Sequence, residues 1–204
     1  MLILASSSER RRELLSWLGV PFAVVPSYFD ERKISLRDPR KLVFKLSLLK
    51  ARFVAEMRSE GLVIGADTVV SVGGETIGKP KDERDAVRIL KKLSGKTHAV
   101  YTGIAVVDAL TKKSVSAAEE TAVTFRTLSD EEINDYVATG EPLDKGGGYA
   151  IQMGAKGFVS DVRGSFTNVV GLPLVVLQTL LRKHGFTLKR DVPRIVFEKT
   201  GYLS

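Results

Sequence analysis

The hydrophobic pattern begins with a short apolar run that leads through small residues into an amphipathic segment. Leu2-Ile3-Leu4 predicts a buried strand, and Leu14, Leu15 and Leu18 follow it at helical spacing. Between them, Ser6-Ser7-Ser8-Glu9 fits a capping box with Ser6 at the N-cap. The chain is therefore predicted to start with a strand, a tight turn and a capped helix.

The same two spacings continue along the chain. Further strands are predicted at residues 22–25, 62–70, 98–107, 114–126, 158–166 and 195–197, and further helices at 38–57, 82–93, 129–139 and 168–184. Gly73-Gly74 predicts a hairpin turn, and residues 144–157 form a glycine-rich loop. In the helix at 38–57, the predicted buried face has Lys50 near its edge and consists of Leu42, Leu46, Leu49 and Phe53.

The order of these elements indicates an α/β protein. Strands and helices alternate early, and long antiparallel strands lie in the middle of the chain. Residues 62–70 are apolar enough for burial on both faces of a sheet. We expect a strongly twisted mixed sheet with flanking helices. The 204 residues are interpreted as a single domain over 1–204, and the basic tail 186–204 receives no assigned role.

Composition narrows the kinds of partner and binding site that the chain can have. The formal net charge of +7 favours polyanionic partners such as nucleotides, nucleic acid or an anionic membrane. The absence of cysteine excludes disulfides and thiolate metal sites, and two histidines, His98 and His184, do not suit a histidine-rich metal site. No apolar run approaches the roughly 20 residues of a membrane span. The N-terminus lacks a signal-peptide pattern, so a cytoplasmic location is expected.

The start of the first helix is a candidate anion site. A helix that follows a turn of small residues presents free backbone N–H groups and a partial positive charge. Arg10, Arg11 and Arg12 crowd this end, where cations disfavour the helix unless an anion binds beside them. Phosphate is the ligand that this arrangement favours. The alternative is a capped surface helix with solvated arginines.

Asp67 is the most informative single residue, because it is a carboxylate in a run that otherwise predicts burial. A buried acid needs a partner, so Asp67 is either a metal ligand or general base, or a structural residue bonded to backbone amides. Asp30-Glu31, after the second strand, would supply a second carboxylate. Two carboxylates suit Mg²⁺, which takes few protein ligands and keeps substrate phosphates.

Two loop residues are weaker candidates. Lys79 lies in Gly78-Lys79-Pro80, where proline stiffens the loop and a lysine suits a phosphate, although a loop lysine is more often simply solvated. Gln152 follows Gly146-Gly147-Gly148, where glycines permit close approach of a ligand. Its amide carries a donor and an acceptor that would read a base edge; the alternative is an exposed glutamine on a flexible loop.

The order of these segments resembles the Maf family of nucleoside triphosphate pyrophosphatases over about Leu2 to Leu181. The resemblance is carried by the segments LASSSERRRELL from Leu4, FDE at 29–31, KA at 50–51, IGADTVV at 64–70, GKP at 78–80, LSG at 93–95, VYTG at 100–103, YVATGEP at 136–142, DK at 144–145, IQ at 151–152 and NVVGLP at 168–173.

The resemblance implies hydrolysis of a nucleoside triphosphate to the monophosphate and pyrophosphate. It also implies a divalent metal, with Mg²⁺ expected and Mn²⁺ as the alternative, a homodimer, and two lobes around a cleft in a fold similar to inosine triphosphate pyrophosphatase. Asp67 matches the family's catalytic acid, Glu31 its second carboxylate and Lys79 its essential lysine, so Glu31 and Asp67 are the expected metal ligands.

The resemblance also assigns substrate contacts. Arg10, Thr68 and Gln152 match positions linked to substrate choice. A glutamine at position 152 is similar to the pattern of the family branch that acts on dTTP, UTP and modified pyrimidine nucleotides. A triphosphate clamp is expected from Ser6, Ser8, Arg10, Lys50 and Lys79.

The chain departs from the family pattern at three positions. Ala150 and Met153 replace glycines of the glycine-rich loop, and Ser165 stands where an acid is frequent. The rival interpretation is a non-catalytic nucleotide-binding regulator of cell division. A stable nucleic-acid complex is not expected, because a polyanion binder has no need of acids in its cleft. The absence of GxxxxGK[ST] excludes a P-loop enzyme.

Overall fold

The sheet is organised around one long strand, β3. The computed structural model describes residues 1–202. The strands are β1 (Leu2–Leu4), β2 (Phe22–Val24), β3 (Leu62–Val72), β4 (Glu75–Ile77), β5 (Thr97–Asp108), β6 (Ser114–Phe125) and β7 (Val159–Arg163). They form one seven-stranded sheet in the order β2-β1-β3-β5-β6-β7, and β4 pairs with β3. β1 runs parallel to β2 and β3, and the other pairs are antiparallel.

Seven α-helices flank this sheet within the described residues. They are α1 (Glu9–Ser16), α2 (Pro39–Ala55), α3 (Glu83–Leu93), α4 (Asp130–Ala138), α5 (Phe166–Val170), α6 (Leu174–Lys183) and α7 (Val192–Thr200). Short 3-10 turns lie at Glu31–Lys33, Glu141–Asp144, Gly146–Gly148 and Gly154–Phe158. The predicted α/β fold with a mixed sheet and flanking helices is confirmed. Of the helices in this part of the chain, none combines the length and apolarity needed to cross a membrane.

Side chains of β3 alternate between two packed faces of the sheet, as successive residues of a strand must. Val63 packs with Ala51 and Val54 of α2. Ile64 and Ala66 point the other way, into a larger core to which the six other helices contribute. Neighbouring residues of β3 therefore face different surroundings, and α2 is the helix of the described chain that packs on the face of Val63.

Helix α2 lies unusually close to the sheet because two strand positions have no side chain. A Cβ at Gly103 of β5 would lie 2.0 Å from the carbonyl oxygen of Val43, and one at Gly65 of β3 would lie 2.3 Å from that of Ser47. Gly103 pairs directly with Asp67 across the ladder. The two glycines thus let the α2 backbone rest on the strands beside Asp67.

One edge of β3 carries two short strands with a gap between them. β1 pairs with residues 62–64, and β4 pairs with residues 70–72. No strand in the described part of the chain pairs with residues 65–69 along this edge, whereas the other edge pairs with β5 over residues 62–71. The gap leaves the middle of β3, which includes Asp67, without a strand partner on this edge.

Two predictions about individual helices were wrong, namely the N-cap of α1 and the buried face of α2. Helix α1 begins at Glu9, so Ser8 is the N-cap and accepts from Arg11 N, while the Ser6 hydroxyl accepts from Ser8 N. Helix α2 ends at Ala55 and leaves Phe53 38% exposed. Because α2 lies so close to the sheet, its small residues fit against the strands and its buried face consists of Val43, Leu46, Ser47, Lys50, Ala51, Val54 and Ala55.

Two predictions about element type also need correction. The helix predicted at 168–184 is two helices, because Gly171 adopts φ +118° at the end of α5 and Pro173 precedes α6. The strand predicted at 195–197 is part of α7, which begins after the N-cap Asp191 and ends at Gly201 with φ +75°. Val192 and Val196, four residues apart, are the buried residues of α7.

Candidate active site

Three charged side chains meet beside the gap in β3. Lys50 Nζ lies 2.6 Å from Asp67 Oδ1 and 2.7 Å from Glu31 Oε1. Lys50 and Asp67 are 8% and 6% exposed, whereas Glu31 lies in the exposed turn after β2. The structure thus brings together two carboxylates predicted from separate segments, and an ammonium group from a third segment lies between them.

The ionisation of Asp67 depends on its neighbours rather than on water. Burial raises the pKa of Asp67 most strongly, while the Lys50 ammonium and the Arg11 guanidinium lower this pKa and the like charge of Glu31 raises it further. An anionic Asp67 therefore needs a cation close by. If Lys50 moved away, Asp67 would stay anionic only with another cation in its place.

The opposite face of β3 carries a hydrogen-bonded chain that starts at the next residue, Thr68. Arg11 Nη2 donates to Thr68 Oγ1 over 3.1 Å, and Thr68 Oγ1 lies 3.0 Å from Thr102 Oγ1. Thr102 donates its proton to the carbonyl oxygen of Asn168, so the proton between the two threonines belongs to Thr68. The chain runs in one direction from α1 across two strands to α5.

The sequence interpretation named Arg11 among the arginines at the start of the first helix but did not predict its buried contacts. Its Nε donates to the Gly171 carbonyl oxygen and its Nη1 to Ser6 Oγ, at 2.9 and 3.4 Å. The signal was present in the helical spacing, because position 11 precedes Leu14, Leu15 and Leu18 by three, four and seven residues and so lies on the buried face.

Arg10, the predicted contact, lies on another side of α1. Burial lowers its pKa, and Asp144, Tyr136 and Glu141 act in the opposite direction because their charges are close. Arg10 therefore faces the segment that follows α4. Its side chain makes no hydrogen bond within residues 1–202, so the guanidinium is available to a ligand on that side.

Ser6 and Ser8 lie at the start of α1, as predicted, but with different partners from those expected. Ser6 is 7% exposed, and its Oγ accepts from Ser8 N and from Arg11 Nη1. Ser8 caps the helix. The turn 5–8 connects the end of β1 to α1 and therefore borders the gap in β3.

Lys79 follows Gly78, which contacts the glycine-rich loop beside β3, and Gln152 lies further along that loop. Gly147 N donates to the carbonyl oxygen of Gly78, and a Cβ at Gly146 would lie 3.7 Å from the carbonyl oxygen of Thr68. Lys79 is exposed and Gln152 is half-buried. Neither side chain makes a hydrogen bond or ion pair with another residue of the described chain, so the structure does not bring Lys79 into contact with Asp67.

Asp67 and Glu31 are the residues that could hold a divalent cation. Oxygen atoms of Asp67 and Glu31 converge on one position, which the Lys50 ammonium now occupies, and hard cations prefer carboxylate oxygens. No group of three or more histidine or acidic side chains within residues 1–202 could hold a metal ion. A cation held by two protein ligands keeps most of its coordination positions for substrate and water, as Mg²⁺ does in phosphate chemistry.

Comparison with solved structures supports the fold. The chain is similar to the Ham1 protein of Staphylococcus aureus, with a TM-score of 0.52 and 12% sequence identity. The match covers 90% of this chain and 98% of that chain. At this identity the likeness concerns the architecture alone.

Proteins found by sequence comparison are much more similar to this chain. The family model described as Maf-like protein matches residues 1–184. A protein of Geobacter sp. strain M21 named dTTP/UTP pyrophosphatase is 50% identical over 184 residues, covering 90% of this chain and 95% of the relative. One of the same name from Pelotomaculum thermopropionicum is 46% identical over 187 residues, covering 92% and 98%. The chain therefore belongs to the Maf family.

Proposed function

We propose that the protein hydrolyses dTTP and UTP to the monophosphate and pyrophosphate with the help of a divalent cation. The observation that carries the proposal is the position of Lys50 between Asp67 and Glu31, beside the serine-rich start of α1. Acids placed next to an anion-binding helix start suit a metal-bound polyphosphate and not a bare polyanion. Relatives over nearly the whole chain are named dTTP/UTP pyrophosphatase.

In this proposal Asp67 and Glu31 hold the cation, with Mg²⁺ as the expected metal and Mn²⁺ as the alternative. When bound, a divalent cation supplies charge neutralisation to phosphate oxygens. The Lys50 ammonium lies where that cation would bind, so Lys50 turns to a phosphate oxygen when the substrate enters. A free lysine in this position suits a phosphate as a point charge.

Asp67 acts as the general base. It accepts a proton from the water that attacks the α phosphorus, and the bond to the bridging oxygen then breaks to release pyrophosphate. Ser6, Ser8, the N–H groups at the start of α1 and Lys79 bind the phosphates. Lys79 is exposed in the structure, so it is free to turn toward the leaving group.

Residues on the other face of β3 select the base. Thr68 and Arg11 form one side, and Gln152 offers a donor and an acceptor from its loop. Arg10 contributes from the same helix. The proposal extends to modified pyrimidine nucleotides, to a homodimer, and to action in the cytoplasm on free nucleotides without a stable nucleic-acid complex.

The test is pyrophosphate release from dTTP, UTP, CTP and GTP, with Mg²⁺ and with EDTA. We expect turnover of dTTP and UTP that EDTA abolishes and that Asp67→Asn removes. A protein that binds these nucleotides with micromolar affinity and releases no pyrophosphate would be the regulator instead. Turnover that persists in EDTA would contradict the proposed requirement for a divalent cation.

A further inference from the structure

The segment 136–142 contains two side chains that the proposed chemistry does not use. Tyr136, in α4, is 5% exposed, and Glu141 begins the turn Glu141–Asp144. The Tyr136 hydroxyl donates to Glu141 Oε1 over 2.7 Å. The two residues thus form one hydrogen-bonded pair at the end of α4, which we name the Tyr–Glu pair.

The Tyr–Glu pair holds both ends of the turn that carries Gln152. Ala150 N donates to the Tyr136 hydroxyl oxygen, and Gly154 N donates to Glu141 Oε2, each over 3.2 Å. Between them, Met153 N donates to the carbonyl oxygen of Ala150 over 3.1 Å. Gln152 therefore projects from a closed turn whose two ends are fixed to the same pair of side chains.

Steric contacts restrict the same turn. A Cβ at Gly154 would lie 2.9 Å from Tyr136 Cε2 and 3.2 Å from Glu141 Oε2. A Cβ at Gly157, in the same 3-10 turn, would meet no atom within 4 Å. The backbone at residue 154 thus rests directly on the Tyr–Glu pair, whereas the backbone at residue 157 has open space.

The buried neighbours of Gln152 leave its amide as the free group of the turn. Ala150 and Ile151 are 3% and 4% exposed, while Gln152 is half-buried and its amide makes no hydrogen bond within the described chain. Arg10 also lies near Tyr136 and Glu141, so the pair adjoins the helix that carries Arg11. An unbonded amide on a fixed turn beside α1 is well placed to contact a ligand.

We infer that Tyr136 and Glu141 are positioning residues for base selection, because they hold the Gln152 amide at one distance and angle from the nucleobase. An amide distinguishes UTP from CTP only if its donor and acceptor cannot exchange places, since the two bases present opposite patterns at the same edge. The inference rests on the proposed hydrolysis of dTTP and UTP. It assigns the discrimination between UTP and CTP to Tyr136 and Glu141, which hold Gln152 in place, as well as to Gln152 itself.

The test compares kcat and KM for UTP, dTTP, CTP and GTP in three variants. Gly154→Ala displaces the turn without removing a polar group, Glu141→Gln removes the charge, and Tyr136→Phe removes the hydroxyl. The two polar substitutions remove one or two of the bonds that fix the turn, and Gly154→Ala moves the turn away from its partners. We therefore expect the kcat/KM ratio of UTP to CTP to fall about tenfold and KM for UTP to rise about tenfold, with kcat within about threefold of wild type.

The matched controls are Gly157→Ala, the same substitution in open space, and Glu131→Gln, the same charge change at an exposed position of α4. Both should keep the wild-type ratio. A Gly154→Ala protein that melts at the wild-type temperature and keeps both the UTP to CTP ratio and KM overturns the inference. So does a kcat that falls equally for all four nucleotides at an unchanged ratio, which is the result of a merely structural role. A wild-type protein that releases no pyrophosphate overturns the proposed function instead.

Discussion

The two faces of β3 differ sharply at adjacent residues. On the face covered by α2, Asp67 belongs to a cluster of one ammonium and two carboxylates that are held by ion pairs. On the other face, Thr68 belongs to a chain of hydroxyl groups that ends on a backbone carbonyl and contains one guanidinium. One face of the strand thus carries ion pairs and the other carries hydrogen-bonded hydroxyl groups, because neighbouring residues point in opposite directions. The proposed function places the phosphate chemistry on the first face and the recognition of the base on the second.

The largest expected effect comes from neutralising the charged face. Asp67→Asn keeps the size of the side chain but removes the proposed base and one proposed metal ligand, so kcat for dTTP should fall by at least about a thousandfold. Steady-state pyrophosphate release measures this loss, and circular dichroism checks the fold. Asp161→Asn, an exposed position in β7, is the matched control and should behave as wild type. If Asp67→Asn turned over near the wild-type rate, hydrolysis would not depend on the face that carries Asp67.

A second change tests whether Lys50 and the metal share one position. Lys50→Met removes the ammonium from between Asp67 and Glu31, so turnover should fall about a hundredfold while Mn²⁺ binding to the nucleotide-free protein becomes about tenfold tighter. Electron paramagnetic resonance of free and bound Mn²⁺ measures the affinity. Lys45→Met, exposed on the same helix, should leave the Mn²⁺ affinity unchanged. An equal affinity in Lys50→Met would mean that the ammonium does not exclude the metal.

The two faces also differ in how much of them the sequence predicts. The position of Asp67 in a buried strand and the buried side of α1 follow from local spacing, and that spacing also contains Arg11, although the capping-box prediction drew attention to Ser6. The meeting of Lys50 with Asp67 depends on the close approach of α2 at Gly65 and Gly103. Spacing alone pointed to Phe53 as buried, because it contains no information on the distance between a helix and a sheet.

The loops were least predictable. The glycines at 146–148 indicate a flexible segment, yet the turn at 150–154 is fixed by Tyr136 and Glu141 from another element. Such partners are distant in sequence and have no periodic signature. The tail shows the opposite error, since Ile195-Val196-Phe197 was interpreted by β propensity, whereas the flanking Asp191 and Gly201 are helix caps.

A third change tests the spacing between α2 and the sheet. Gly103→Ala places a methyl group against the backbone at Val43, opposite Asp67 in the ladder. We expect a loss of about 2 kcal/mol in the free energy of unfolding, measured in urea, and a lower kcat because Lys50 moves with the helix. Gly157→Ala meets no atom and should unfold as wild type does. A stable Gly103→Ala protein with full activity would show that the charged face does not depend on this contact.

The smallest expected effect concerns the face of β3 that carries Thr68. Thr68→Val removes the hydroxyl that accepts from Arg11 and donates to Thr102, so the Arg11 guanidinium keeps Ser6 Oγ and the Gly171 carbonyl oxygen as partners. Since no charge near the phosphates changes, kcat should remain within about threefold, while the preference for UTP over CTP falls about tenfold. Thr68→Ser retains the hydroxyl and should restore the preference. If Thr68→Val instead lowers kcat as far as Lys50→Met does, the two faces act as one unit and the division of labour across β3 is wrong.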